Sequence, residues 1–201
     1  MIVNIFLVVL AYVLGSIPNG VWIGKTFKGI DIRTVGSKNS GATNAYRNLG
    51  AKYGIATLLL DALKGFLPVY IAYKVGANSS FIVFMGLIAI LAHSFSCFLN
   101  FKGGKGVATS LGVFLFLSPK GVLVALVGFL IVLYFTRYVS LSSVTGAVIL
   151  PIMVYILPVR EGVDKGTLCV LVTIIGAFVI YKHKANIFRL LNGTESKIVF
   201  K

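Results

Sequence analysis

"YGIATLLLDALKGFLPVYIAY" runs from Tyr53 to Tyr73, and its reading decides the fold. A helix that crosses a bilayer needs about 20 mainly apolar residues. This stretch has that length, and Asp61 and Lys64 are its only charges. They stand at i and i+3, on one face of a helix, where opposite charges pair. Ionisable groups at membrane depth are expensive and are functional candidates. Mutual pairing that locks this helix to a neighbour is the simplest account of both.

The rest of the chain has the same character. Of its 201 residues 58% are hydrophobic and 12% charged, and its mean hydropathy is +0.97. Soluble domains carry about 25% charged residues. Further apolar runs lie at 3–24, 80–100, 106–118, 121–136, 141–158 and 166–181. With 53–73 they predict an all-α polytopic membrane protein of seven transmembrane helices, 106–118 being short enough for a half-span or a tilted helix. Gly15, Gly24, Gly86, Gly112, Gly128, Gly146 and Gly176 suit close helix packing. No long loop separates two hydrophobic blocks, so 1–201 reads as one domain. The N-terminus lacks a basic segment before its apolar run, which reads as a retained first span rather than a cleaved signal.

Seven spans sort the loops onto two sides. Lys25, Lys28, Arg33, Lys38, Arg47, Lys52, Lys102, Lys105, Arg137, Lys182, Lys184, Arg189, Lys197 and Lys201 fall on one; Lys74, Lys120, Arg160 and Lys165 fall on the other. Basic residues concentrate on the cytoplasmic side, so the N-terminus is expected outside and the C-terminus in the cytoplasm. The formal charge of +14 favours anionic partners: anionic lipid or phosphorylated substrates. Nucleic acid is disfavoured, because no basic-aromatic module or zinc pattern is present. Cys97 and Cys169 lie inside apolar runs without metal-ligand spacing; both read as small buried hydrophobes, and no metal is expected.

Four polar segments fall on the basic side. "VGSKNSGATNAYRNLG" (35–50) is dense in Gly, Ser, Asn and Thr. Successive N–H groups in such turns form concave nests for anions, and Thr43 or Asn44 can cap a following helix. Lipid tolerates irregular backbone only where it lines a protein cavity. "NFKGGKGVATSLG" (100–112) sets Lys102 and Lys105 among glycines just before an apolar helix; it is not a Walker A loop, yet it also aims backbone N–H groups and an ammonium at phosphate. "TRYVSLSS" (136–143), taken alone, fits interfacial anchoring and helix capping. "YKHKANIFRLLNG" (181–193) reads by itself as a peripheral basic helix on anionic lipid. His93, in an apolar run, fits a hydrogen-bonded structural group and a site role equally well. No Ser/His/Asp arrangement stands out, and the basic-side loops hold no carboxylates beyond Asp31 and Glu195. An enzyme built this way polarises anions and suits a substrate already activated by a phosphate leaving group.

"GSIPNG", "VGSKNSGATNAYRNLG", "DALKG", "FKGGKGVATSLG", "RYVSLSS" and "YKHKANIFRLLNG" occur in this order over essentially the whole chain. In them the sequence resembles the bacterial acyl-phosphate:glycerol-3-phosphate acyltransferases, the PlsY family. The resemblance implies a seven-helix inner-membrane enzyme that moves a fatty acyl group from acyl phosphate to the 1-hydroxyl of glycerol 3-phosphate. The products would be lysophosphatidic acid and phosphate, with no cofactor and neither coenzyme A nor acyl carrier protein as direct donor. Carried over, the family's phosphate loop falls on Gly36, Ser37, Asn39, Gly41, Thr43 and Asn44. Its glycerol 3-phosphate contacts fall on Arg47, Lys105, Ser143, His183 and Asn186, with Lys105, Arg47 and Ser143 expected to be catalytic. A substrate phosphate oxygen would stand in for the absent protein base. Lys38 stands where the family loop often has Gly. The rival class is a transporter or channel for an anionic phosphorylated solute, with Gly-broken helices around a midplane site; the clustering of the polar segments on one side argues against it.

Overall fold

Pro18 breaks the first span. In the computed structural model, which describes residues 2–199, the run 3–24 is two helices, α1 (Ile2–Ser16) and α2 (Asn19–Lys28), bent by 46°. Proline has no N–H and pushes the residue before it out of helical geometry. The break leaves the Ile17 carbonyl without its helical donor, and Lys64 supplies one from Nζ at 2.6 Å. Lys64 also pairs with Asp61 at 2.8 Å, both side chains being no more than 5% exposed, and Asp61 accepts from Asn19 Nδ2 at 2.9 Å. The expected ion pair is therefore present, and it ties α4 to the start of α2.

The remaining helices are α3 (Ala42–Leu49), α4 (Ala51–Lys74), α5 (Ser79–Ser94), α6 (Val107–Leu117), α7 (Pro119–Thr136), α8 (Val139–Ile156), α9 (Lys165–Lys182) and α10 (Lys184–Leu191), with a 3-10 turn at Cys97–Leu99. No strand occurs among the described residues. α5 and α9 begin at side-chain caps: Asn78 accepts from the Phe81 N–H and Asp164 from the Thr167 N–H, satisfying first-turn donors. Among the described residues five helices are long and apolar enough to span a membrane, and six if α1 and α2 count as one bent span. α6, the expected span at 106–118, has 11 residues. At 1.5 Å per residue it reaches about 16 Å, half of a hydrocarbon core of about 30 Å. Lys201, placed above on the basic side, lies outside the described residues.

The packing divides into two compact units that meet in the chain at Val113 and Phe114. In the first, α1 packs on α5 and α4, and α2 and α3 lie against α4. A Cβ on Gly15 would press on the Ala89 carbonyl, and one on Gly112 would overlap that of Ala62; the small side chain is what lets these backbones meet. In the second, α8 packs between α7 and α9, and α10 contacts both α8 and α9. Arg160 donates from Nε to the Phe116 carbonyl at 2.6 Å, closing the C-terminal end of α6. Cys169 is buried as expected, whereas Cys97 is exposed, because the 3-10 turn after α5 rotates it outward.

Candidate active site

The segment 35–50 is a shaped loop followed by a short helix. Gly36 and Lys38 both have positive φ, +55° and +56°. Gly adopts this region freely, while a side-chain-bearing residue there is strained by about 1–2 kcal/mol. That explains why Gly suits position 38. Asn39 Oδ1 accepts from the Gly41 N–H at 3.0 Å, a local turn typical of Asn. α3 then starts at Ala42, with Gly41 in the cap position and no side-chain cap.

Asn44 has a different job from the expected helix cap. It lies inside the first turn of α3, 2% exposed, and its amide points back across the loop. Nδ2 donates to the carbonyls of Ile32 and Asn39 at 2.7 and 2.9 Å. Oδ1 accepts from the Ser37 N–H at 3.0 Å and from Asn48 Nδ2 at 2.9 Å. One side chain thus holds both arms of the loop. The Ser37 and Gly41 N–H groups, expected to face an anion, are engaged within the protein. Ser37 and Lys38 remain exposed, Thr43 is half-buried, and Arg47 lies one turn beyond Asn44 and Thr43 on α3. Ahead of the loop, the Arg33 guanidinium, hydrogen-bonded to both Asp31 oxygens, holds that carboxyl well below the usual carboxylate range against a smaller upward push from burial, with the Arg33 backbone N–H and the more distant Lys25 adding to it. Asp31 pairs there with Arg33 and Lys25; Lys38 follows on the loop and Arg47 on α3.

Lys105 sits in the second glycine-rich segment. Asn100 and Phe101 turn the chain with φ of +49° and +60°. The strand of loop that follows is stitched to the end of α5: the N–H groups of Phe101, Gly103 and Gly104 donate to the carbonyls of Ser96, Ser94 and His93. Lys105 is half-buried, and α6 starts two residues later.

The other expected residues belong to the second unit. Ser143 is buried on α8 and donates its proton to the Val139 carbonyl at 2.8 Å, which leaves its oxygen as an acceptor. His183, buried between α9 and α10, has Nδ1 2.8 Å from the Val179 carbonyl. A carbonyl only accepts, so Nδ1 carries the proton. Asn186, one turn further on, donates from Nδ2 to Glu195 Oε1 at 2.6 Å. Glu195 was not among the expected site residues. It also accepts from Ser140 Oγ and Arg189 Nε, each at 2.7 Å. Burial pushes this carboxyl up, but the donors Asn186, Ser140 and Arg189 together outweigh it and hold it below its ordinary value. Its sequence signal was scarcity, as one of only five acidic residues. Asn48, the other residue missed, stands four positions after Asn44, one helical turn on.

These loops lie in a chain with clear relatives. The family model for glycerol-3-phosphate acyltransferase matches residues 5–193. A glycerol-3-phosphate acyltransferase of Fusobacterium nucleatum is 58% identical over 193 residues, covering 96% of this chain and 97% of its own. One from Aquifex aeolicus is 44% identical, covering 96% and 98%. Two crystal structures of PlsY, an integral membrane glycerol 3-phosphate acyltransferase, share the fold. The glycerol 3-phosphate form has a TM-score of 0.89 at 42% identity over 98% of this chain and 96% of its own. The lysophosphatidic acid form has 0.87 at 41% over 98% and 95%. With its apolar helices, its two glycine-rich loops and this likeness over nearly its full length, the chain is a multi-pass membrane protein that belongs to the glycerol-3-phosphate acyltransferase family.

Proposed function

We propose that this protein transfers a fatty acyl group from acyl phosphate to the 1-hydroxyl of glycerol 3-phosphate, making lysophosphatidic acid and phosphate for phospholipid synthesis. The observation that carries the reading is the pair of solved relatives, one in a glycerol 3-phosphate form and one in a lysophosphatidic acid form. These are the acceptor and the product of one acyl transfer. The donor assignment rests on the chemistry of the loops. The segment 36–44 places exposed short polar residues and the start of α3 beside positive charge, which favours a phosphate.

In this reading the hydroxyl oxygen attacks the acyl carbonyl carbon, the bond from that carbon to the phosphate oxygen breaks, and phosphate leaves. A substrate phosphate oxygen takes the hydroxyl proton. Gly36, Ser37, Asn39, Gly41 and Thr43 hold the donor phosphate, with Asn44 setting the shape of their loop. Arg47, Lys105, Ser143, His183 and Asn186 serve glycerol 3-phosphate; charge-assisted contacts from Arg47 and Lys105 orient the attacking hydroxyl. The loops carrying these groups face the cytoplasm of a bacterial inner membrane, with the N-terminus outside.

The test is turnover by purified protein in detergent, with glycerol 3-phosphate and each of acyl phosphate, acyl coenzyme A and acyl carrier protein. Lysophosphatidic acid and equimolar phosphate are expected from acyl phosphate alone. Equal product from a thioester overturns the donor, and no product from any donor overturns the function.

A further inference from the structure

His93 has no part in the transfer as described, yet the Lys105 loop is moulded on it. It is the penultimate residue of α5 and is buried. The Gly104 N–H donates to the His93 carbonyl at 3.2 Å, and the Gly103 N–H donates to that of Ser94 at 3.1 Å. A Cβ on Gly103 would collide with the His93 carbonyl, and one on Gly104 with Nε2 of its ring. The backbone just before Lys105 therefore lies in contact with both the main chain and the imidazole of one residue. Gly106, just after Lys105, has a φ of +84°, so the loop turns immediately into α6.

The ring cannot sink away from the loop. It lines a small pocket together with Ser16, Asn19, Asp61, Lys64 and Ser96. Those groups are pinned to one another: Lys64 and Asn19 to Asp61, Lys64 to the Ile17 carbonyl, and Ser96 Oγ to the Ser16 carbonyl at 2.6 Å. Below the ring is a fixed polar framework, and above it is the glycine backbone that carries Lys105.

We propose that His93 is a positioning residue: its ring and carbonyl form the floor that sets where the Lys105 ammonium stands. This rests on the reading above, in which Lys105 binds glycerol 3-phosphate. Displacing a positioned group by about 1 Å costs on the order of a hundredfold in rate. A shorter side chain at 93 lets the loop settle, and an added methyl at Gly104 lifts it.

The experiment is steady-state kinetics of the full chain in detergent, each substrate varied in turn, for wild type, His93→Ala, His93→Gln, Gly104→Ala and the double variant His93→Ala/Gly104→Ala. Wild type must first make lysophosphatidic acid; if it does not, the functional reading fails, and the failure is seen before any variant is compared. His93→Ala is expected to lower kcat/KM for glycerol 3-phosphate by about 10- to 100-fold, while the KM for acyl phosphate moves less than about twofold. His93→Gln should retain more activity than His93→Ala. The double variant should lose less activity than the product of the two single losses predicts, because removing the ring makes room for the methyl. A folded His93→Ala enzyme with wild-type constants, equal shifts in both KM values, or additive losses in the double variant each overturn the proposal. Failure of both His93 variants to fold overturns it too, by making the residue purely structural.

Discussion

Glu195→Ala should be among the more destabilising single changes in the second unit. The carboxylate accepts from Asn186, Ser140 and Arg189 at 2.6–2.7 Å, and it is 8% exposed. Truncation removes that acceptor from two buried donors, Asn186 Nδ2 and Ser140 Oγ. A buried donor deprived of its acceptor costs about 1–3 kcal/mol, so the pair comes to about 2–6 kcal/mol. Arg189 is 41% exposed, and its contribution stays within about 1 kcal/mol. Against a typical total of about 5–15 kcal/mol, such a loss is severe. Glu195→Gln keeps the shape and one acceptor oxygen but not the charge. Neutral hydrogen bonds fall about 1 kcal/mol short of charge-assisted ones, so a milder loss of about 1–3 kcal/mol is expected.

The same variant carries a pH signature. The folded pKa of Glu195 is depressed, so its stabilisation is fully present above the unfolded value of about 4.3 and is lost as pH falls through the folded value. Wild type should therefore hold a constant advantage over Glu195→Gln from pH 7 to about 5, and the gap should close below about pH 4. Cys169 is buried in α9, in the same unit, whereas Cys97 is exposed. A Cys97→Ala background thus permits thermal unfolding to be followed by dye labelling of Cys169 alone. If Glu195→Ala melts with the background protein, or if the gap to Glu195→Gln does not change with pH, the reasoning about this cluster is refuted.

Lys105→Ala should leave the melting temperature in place and nearly abolish turnover, since losing a charge-assisted contact costs about 1.5–3 kcal/mol or more in a water-poor site; near-wild-type kcat in a folded variant removes Lys105 from the site. Lys38→Gly should keep activity and match or raise stability by up to about 1 kcal/mol, because it relieves a positive φ, and a clear drop in melting temperature would show that the Lys38 side chain makes a needed contact. In a chain lacking Cys97 and Cys169, a cysteine replacing Glu161 should be labelled from outside intact cells and one replacing Asn192 should not; the reverse pattern would invert the proposed orientation.

The spans were legible because hydropathy is a local property. α4 was expected at 53–73 and runs Ala51–Lys74, and α9 was expected at 166–181 and runs Lys165–Lys182. The pairing of Asp61 with Lys64 followed from spacing alone. What a hydropathy window hides is backbone chemistry inside an apolar run. Pro18 interrupts the first span without lowering its apolar character, and α6 ends at Leu117 because Ser118 and Pro119 restart the helix. Side-chain partners far apart in sequence were the other gap. Ser140 and Glu195 are separated by 55 positions, and nothing in either neighbourhood announces the other. Segment 35–50 was recognisable by composition, but which of its polar groups face outward depends on hydrogen bonds that composition does not specify.

Asn44 illustrates what that difference means for chemistry. Read along the chain, it is one more polar residue in a phosphate-binding loop. In the fold its amide is committed to Ile32, Asn39, Ser37 and Asn48, so internal hydrogen bonds set the shape of the loop. A site that must order its own loop on binding loses affinity to that ordering, and stabilisation of developing charge depends on donors already in place. The N–H groups that Asn44 and Asn39 engage define the frame. At the start of α3, where Gly41 provides no side-chain cap, the first-turn donors of Ala42 and Thr43 need partners from outside the helix. A phosphate placed there, with Arg47 one turn further along, would satisfy them. In the proposed reaction the donor phosphate would then meet the head of α3 together with the exposed residues of the loop, whose internal hydrogen bonds hold that head open.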